Sequence, residues 1–152
     1  MLTKLFAHMN WANLRVIEAL QAADRPDPKV VELLAHVLAA EHLWHARILG
    51  VTPSYPVWPR MSLDECTRLA RENHERFTAL VASLKDGGAD RDVTYTNTAG
   101  VTYSSTVSEI LTHVALHGSY HRGQIAWQMR ADGQTPNVTD LIVFTRGGAT
   151  PR

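Results

Sequence analysis

Three histidines stand four residues apart in the stretch His113-Val-Ala-Leu-His117-Gly-Ser-Tyr-His121-Arg-Gly-Gln124. In a helix, at about 100° per residue, His117 and His121 sit one turn apart on one face, where both imidazoles can reach a single point. Neutral imidazole ligates zinc, nickel, copper and iron, so an i, i+4 pair on a rigid helix is half of a metal site. Two ligands hold an ion weakly, and the chemistry depends on a third from another segment. His36 is the candidate. It lies at the edge of the apolar arc of a separate helix, as a convergent ligand would. Three histidines leave at least one coordination position for water or substrate, the arrangement of a catalytic metal site rather than a closed structural one.

The competing account makes His117 and His121 hydrogen-bonded histidines at the edge of a core. Against it stand His36 and the stripe His117, His121, Gln124, Gln128, which stays polar where packing alone favours leucine. His113 shares that face one turn earlier and suits a hydrogen-bonding or substrate-facing role. His42 and His45 point roughly 180° to 240° away from His36. They are expected on an exposed face as ordinary surface chemistry, and His8 and His74 have no role assigned. No His-Glu-x-x-His, no paired Glu-x-x-His, no cysteine pair and no Gly-rich phosphate loop occurs in the chain.

These side chains need rigid elements to position them. Leu2, Leu5, Phe6, Met9, Ala12, Val16, Ala19 and Leu20 recur at helical spacing and predict a first helix to about Ala22. Asp27 as N-cap and Pro28 at the first helical position open a second, to about Leu49 before Gly50. Its apolar arc collects Val30, Leu33, Val37, Ala40, Trp44 and Ile48. The short connection predicts that helices one and two are antiparallel neighbours. From Val51 to Met61, three prolines exclude a helix. Extended at about 3.3 Å per residue, this stretch reaches some 35 Å, so helix three can run parallel to helix two. Its Tyr55 and Trp58 either line a pocket mouth or cover the bundle end.

Ser62-Leu-Asp-Glu65 is a capping box and opens helix three, to about Leu84, with Asp86-Gly87-Gly88 as its stop. The stripe Cys66, Leu69, Asn73, Phe77, Leu80, Leu84 makes the lone cysteine a packed thiol rather than a nucleophile. Val93–Asn97 and Val101–Ser105 around Thr98-Ala-Gly100 predict a hairpin that must lie against the helices. A second capping box, Thr106-Val-Ser-Glu109, opens the histidine helix, which runs to about Ala131. Val107, Ile110, Leu111, Val114, Gly118, Ile125 and Met129 form its apolar face, and Gly118 and Gly123 suggest a closely approaching backbone, of the bundle or of a dimer partner. Thr139–Phe144 should dock, with fraying after Gly147. The expectation is therefore all-α: a four-helix bundle over residues 1–152, with a small β-hairpin between helices three and four.

Composition narrows the function classes. Lys+Arg and Asp+Glu balance at 15 each. No cationic excess is available for phosphates, which argues against nucleic acid or an anionic membrane as partner. No run of about 18 apolar residues or signal-peptide pattern occurs, and the single cysteine fits a cytoplasmic protein.

Taken together, the residues resemble the DinB-like (DinB/YfiT-like, damage-inducible) family of four-helix-bundle metalloproteins. Asn10-Trp-Ala-Asn13, His36-x4-Glu41-x2-Trp44-x2-Arg47, the hairpin before helix four, His113-x3-His117-x3-His121-Arg-Gly-Gln124 and the late Thr139-Asp140-Leu141 carry the resemblance. It implies a divalent metal, zinc or nickel foremost and iron or manganese also possible, held by His36, His117 and His121. It implies a homodimer, and a small-molecule substrate, because similar proteins include thiol-dependent S-transferases and isomerases that use a low-molecular-weight thiol. On this reading the protein is a metal-dependent transferase, hydrolase or isomerase, with Asn13, His113, Tyr120 and Gln124 as residues around the metal or its pocket. The alternatives are a non-catalytic, stress-related bundle that holds metal or a small ligand as a dimer, and a metal-free structural bundle.

Overall fold

A computed structural model describes residues 1–84 and 87–147. In chain order the elements are α1 (Leu2–Ala22), α2 (Pro28–Leu49), α3 (Leu63–Ser83), a 3-10 turn (Gly88–Asp90), β1 (Asp92–Thr96), β2 (Thr102–Thr106), α4 (Val107–Ala131) and α5 (Leu141–Thr145). The molecule is mostly helical, with the expected hairpin between helices three and four. The local signals act where they stand. Asp27 accepts from the Lys29 amide with Pro28 behind it, and Gly50 closes α2 at φ 68°. Both capping boxes form, at Ser62–Glu65 and at Thr106–Glu109. Of the expected stop to helix three, Asp86 lies outside the described residues, as do the residues after Gly147; Gly87 is left-handed at φ 84° and caps the 3-10 turn.

The direction of each helix follows from its core partners. Cys66 and Leu69, early in α3, share a cluster with Val16, Ile17 and Leu20, late in α1, and with Val30, Leu34 and Leu38, early in α2. Ile125 and Met129, late in α4, join the same cluster. Phe77 and Leu80 meet Phe6, Met9, Ile48, Val107 and Ile110 at the other end. So α1 and α4 run one way, α2 and α3 the other, and the Val51–Met61 connection travels the bundle length. One expectation needs correcting: α1 and α2 are antiparallel but not neighbours. Each packs against α3 and α4, which leaves α1 and α2 on a diagonal. The five residues between them reach about 16 Å when extended, more than the roughly 13 Å diagonal of helices packed 8–10 Å apart. A short loop sets direction without choosing the partner.

Because α2 touches the other helices on more than one side, it is buried from Leu34 through His42. Leu34, Leu38 and Glu41, which the single arc leaves out, are among its most buried residues. The apolar face expected for α4 is buried throughout, Val107 to Met129. Among the described residues of the chain, no backbone of the bundle explains these glycines. A Cβ on Gly118 would stand 2.8 Å from a guanidinium nitrogen of Arg122, a side chain rather than a backbone, and none of the described residues comes within 4 Å of a Cβ on Gly123.

The strands pair antiparallel, Val93 opposite Ser105 and Tyr95 opposite Tyr103. Val93 enters the core, and Arg47 ties α2 to the hairpin by lying over Trp44 (4.5 Å) and Tyr95 (5.0 Å) and donating to the Thr96 carbonyl. The tail docks on α1: His8 Nε2 meets the Thr139 carbonyl at 2.8 Å, and Phe144 packs on His8 and Trp11. His8 is thus buried under the tail, whereas His74 is half-buried on α3. His42 also departs from expectation. It is buried between α2, α3 and the proline-rich connection, and His45 packs edge-on against Phe77.

Candidate metal centre

Pairing α2 with α4 brings His36 against His117 and His121. Ring centroids lie 5.1 Å (His36–His117), 4.9 Å (His36–His121) and 4.4 Å (His117–His121) apart. One ring nitrogen from each falls within 4.8 Å of the others, a cluster able to hold a metal ion. The Nε2 atoms of His117 and His121 are 3.1 Å apart. Two nitrogens at about 2.1 Å from a tetrahedral zinc stand about 3.4 Å apart, so the pair already has nearly the required separation.

The remaining nitrogens are engaged in a way that suits ligation. His36 Nδ1 donates to the Val57 carbonyl at 2.8 Å, and His121 Nδ1 donates to Gln124 Oε1 at 2.6 Å. With Nδ1 protonated, each ring turns a lone pair on Nε2 toward the centre, and the acceptor behind it fixes the ring's orientation. Two of the rings, His117 and His36, are also kept neutral. Burial, then the neighbouring His121, His36 and His113, push the His117 imidazole down to about 4. Burial likewise lowers His36, with the Val57 bond opposing and His121 adding to the effect. Neutral imidazole is the form that binds a cation.

The other candidates are placed differently. His113 stands one turn before His117, with ring centroids 5.6 Å apart and Trp44 on its other side at 5.1 Å; it is not in the three-residue group. Tyr120 is largely exposed, its ring edge-on to His121 at 5.2 Å. Gln124 bonds His121 directly. Asn13 does not face the histidines: its amide donates to Glu41 Oε1 at 2.7 Å and its oxygen accepts from Arg122 at 3.0 Å. It belongs to a core network with Glu41, Asn73 and Arg122, in which Asn73 donates to Glu41 Oε2 at 3.1 Å. Burial raises the Glu41 carboxyl to about 7, while Asn13, Arg122 and Asn73 pull it back. That network was readable in part. Arg122 falls between Gly118 and Ile125 on the apolar face of α4, and an arginine there needs a buried partner. Trp58 stacks on His36 at 3.7 Å and 8°.

A model of the DinB family matches residues 1–150. The chain belongs to the DinB family. Among its relatives, Protein DinB of Bacillus subtilis (strain 168) is 26% identical over 159 residues, spanning 93% of this chain and 91% of that one. No solved structure gives a significant match. In this DinB-family chain the histidine pattern and the bundle are therefore two views of one architecture, with the ligand-capable cluster where α2 and α4 meet.

Proposed function

We propose that the protein binds one divalent transition metal at His36, His117 and His121 and uses it in catalysis on a small molecule. The observation that carries this reading is the convergence of three imidazoles, two of them held from behind by Val57 and Gln124. Zinc and nickel suit the donor set best, and iron or manganese would also fit three imidazoles. Such an ion supplies a Lewis acid that lowers the pKa of a thiol or water held at its open position. The chain's own part is to fix the tautomers of His36 and His121 from behind and, by burial, to keep His36 and His117 unprotonated. On the open side His113 and Tyr120 flank the centre, where they can contact a substrate. We favour a thiol-dependent S-transferase, or a related hydrolase or isomerase, that takes a low-molecular-weight thiol in a reducing cytoplasm. Among the described residues, no helix is long and apolar enough to cross a membrane.

A second reading, a dimeric bundle that binds metal or a small ligand without turnover, is supported by one further observation. Leu116, Tyr120 and Trp127 on the outer face of α4 are 66%, 66% and 68% exposed. Such a row suits contact with a second copy. Elemental analysis after reconstitution should find about one equivalent of metal per chain; less than about a tenth would remove both metal readings. Screening electrophiles against several low-molecular-weight thiols then separates them. Turnover abolished in His117→Ala supports the enzyme, and metal binding with no turnover supports the binding module. Light scattering of the purified protein tests the dimer.

A further inference from the structure

The connection Val51–Met61 touches α2 at two heights. Near the end of α2, the Ser54 amide donates to Nε2 of His42 at 2.9 Å, and Tyr55 meets that ring edge-on at 5.1 Å. Further back, Val57 accepts from His36 and Trp58 lies flat on the same ring. His36 and His42 are six residues apart, about 9 Å of helix axis. Ser54 and Val57 are three apart, about 10 Å when extended. The segment therefore runs back along α2 in matched spacing, and slack at one contact is passed to the other.

His42 has no place in the histidine centre, yet it is buried and tightly engaged. Its two ring nitrogens face two donors, the Ser54 amide and the Arg76 guanidinium, each at 2.9 Å. A neutral imidazole offers one acceptor nitrogen and a protonated ring offers none, so the contacts call for a neutral ring that takes one of the two donors at a time. Arg76 is braced in turn by Glu72 at 3.1 Å. The Ser54 amide at Nε2 and the Tyr55 ring at its edge attach the connection to α2, and Arg76 competes for the same imidazole from α3. At the other contact, Trp58 is stacked within van der Waals distance of His36 while remaining 54% exposed. Its order comes from the stack rather than from burial, so it contributes little to the core.

We propose that the Val51–Met61 connection is a positioning element for the histidine centre, anchored at His42 and acting on His36 through the Val57 carbonyl and the Trp58 ring. The carbonyl sets the His36 tautomer, and the indole blocks rotation of the ring out of the centre. Trp58 and His42 are positioning residues, and the inference rests on the reading of His36 as a metal ligand.

The test uses the full chain and two readouts. Titration with Co2+ alone, followed by visible absorption, should show Trp58→Ala binding about tenfold more weakly, the usual size of an outer-partner effect. Its absorption band should also shift. Trp58→Phe, which keeps a flat ring on His36, should stay within about threefold of the parent. His42→Phe keeps a buried ring without acceptors and should weaken Co2+ binding although it touches no ligand. Should it fail to fold, Tyr55→Ala removes the other contact of the connection with His42 and provides the second test. Independently of metal, long-range imidazole 1H–15N spectra at pH 8 should show His36 as the Nδ1–H tautomer in the parent and as mixed tautomers in Trp58→Ala. Failure of the parent to take up Co2+ would overturn the metal reading, and the tautomer result would then decide the positioning role. Parent-like affinity, band and tautomer in both Trp58→Ala and the His42 or Tyr55 variant would overturn the inference.

Discussion

The bundle holds two polar clusters, and each draws residues from both α2 and α4. In the core, Glu41 takes amides from Asn13 and Asn73, and Asn13 takes the Arg122 guanidinium. At the α2–α4 edge, His36, His117 and His121 gather with ring nitrogens directed at one another. The core cluster uses its hydrogen-bonding capacity within itself, although Asn73 Oδ1 and Arg122 Nε have no partner among the described residues. The edge cluster engages Nδ1 of His36 and His121 with acceptors and leaves Nε2 lone pairs facing inward. Polar groups in a bundle are therefore told apart by what they leave over. The first set specifies how the helices pack; the second is open to a cation.

That contrast can be broken most severely in the core. Arg122→Ala removes a buried guanidinium and its hydrogen bond to Asn13 Oδ1, and should cost about 3 kcal/mol in urea denaturation. A loss below about 1 kcal/mol would mean that the core network is not structural. His117→Ala should do the reverse, lowering metal affinity at least a hundredfold, about 2.7 kcal/mol. It should shift the stability of the metal-free protein by about 1 kcal/mol or less, within the range of a partly exposed substitution. Calorimetric metal titration beside thermal melts of the metal-free chain checks both halves.

The third prediction uses pH. The folded Glu41 carboxyl, at about 7, sits above its ordinary 4.5. The folded chain thus keeps a proton that the unfolded chain gives up. Its contribution is complete below about 4.5 and is lost as pH rises through about 7, some 2–3 kcal/mol between pH 5 and 8. His117 has the opposite sign: its folded value, about 4, lies below 6.5, so its contribution is present above 6.5 and lost as pH falls toward 4. Urea midpoints of metal-free wild type measured against Glu41→Gln isolate the first trend. A difference between the two that is flat across pH 5–8 would contradict it. The smallest effect is expected from Gln124→Ala, about tenfold in metal affinity with the fold intact, because it removes only the acceptor behind His121. Equal affinity in that variant would show that the edge cluster needs no support from behind.

Much of this was legible in the chain itself. The spacing of His117 and His121, the capping boxes at Ser62 and Thr106, and the apolar row from Val107 to Met129 are local, and local geometry realises them directly. Less legible were residues whose meaning depends on a second segment. His42 looked exposed because a helical-wheel count sees one arc, and α2 is packed on more than one side. Asn13 looked like a site residue and became a core one, since only the meeting of α1, α2 and α4 gives it Glu41 and Arg122. Gly118 and Gly123 read alike in sequence; a methyl on the first would push the Arg122 guanidinium away from Asn13, and the second has open space.

By itself, then, the order of residues determined the helices, their caps, the hairpin and the facing of His117 beside His121, because hydrogen bonds and side-chain periodicity act within a few residues. Only the tertiary structure decided that α1 and α2 lie across a diagonal, that Trp58 lies on His36, and that Glu41, Asn73 and Arg122 close a network in the interior. Those outcomes depend on contacts between residues tens of positions apart, whose energies arise only once burial has brought them together.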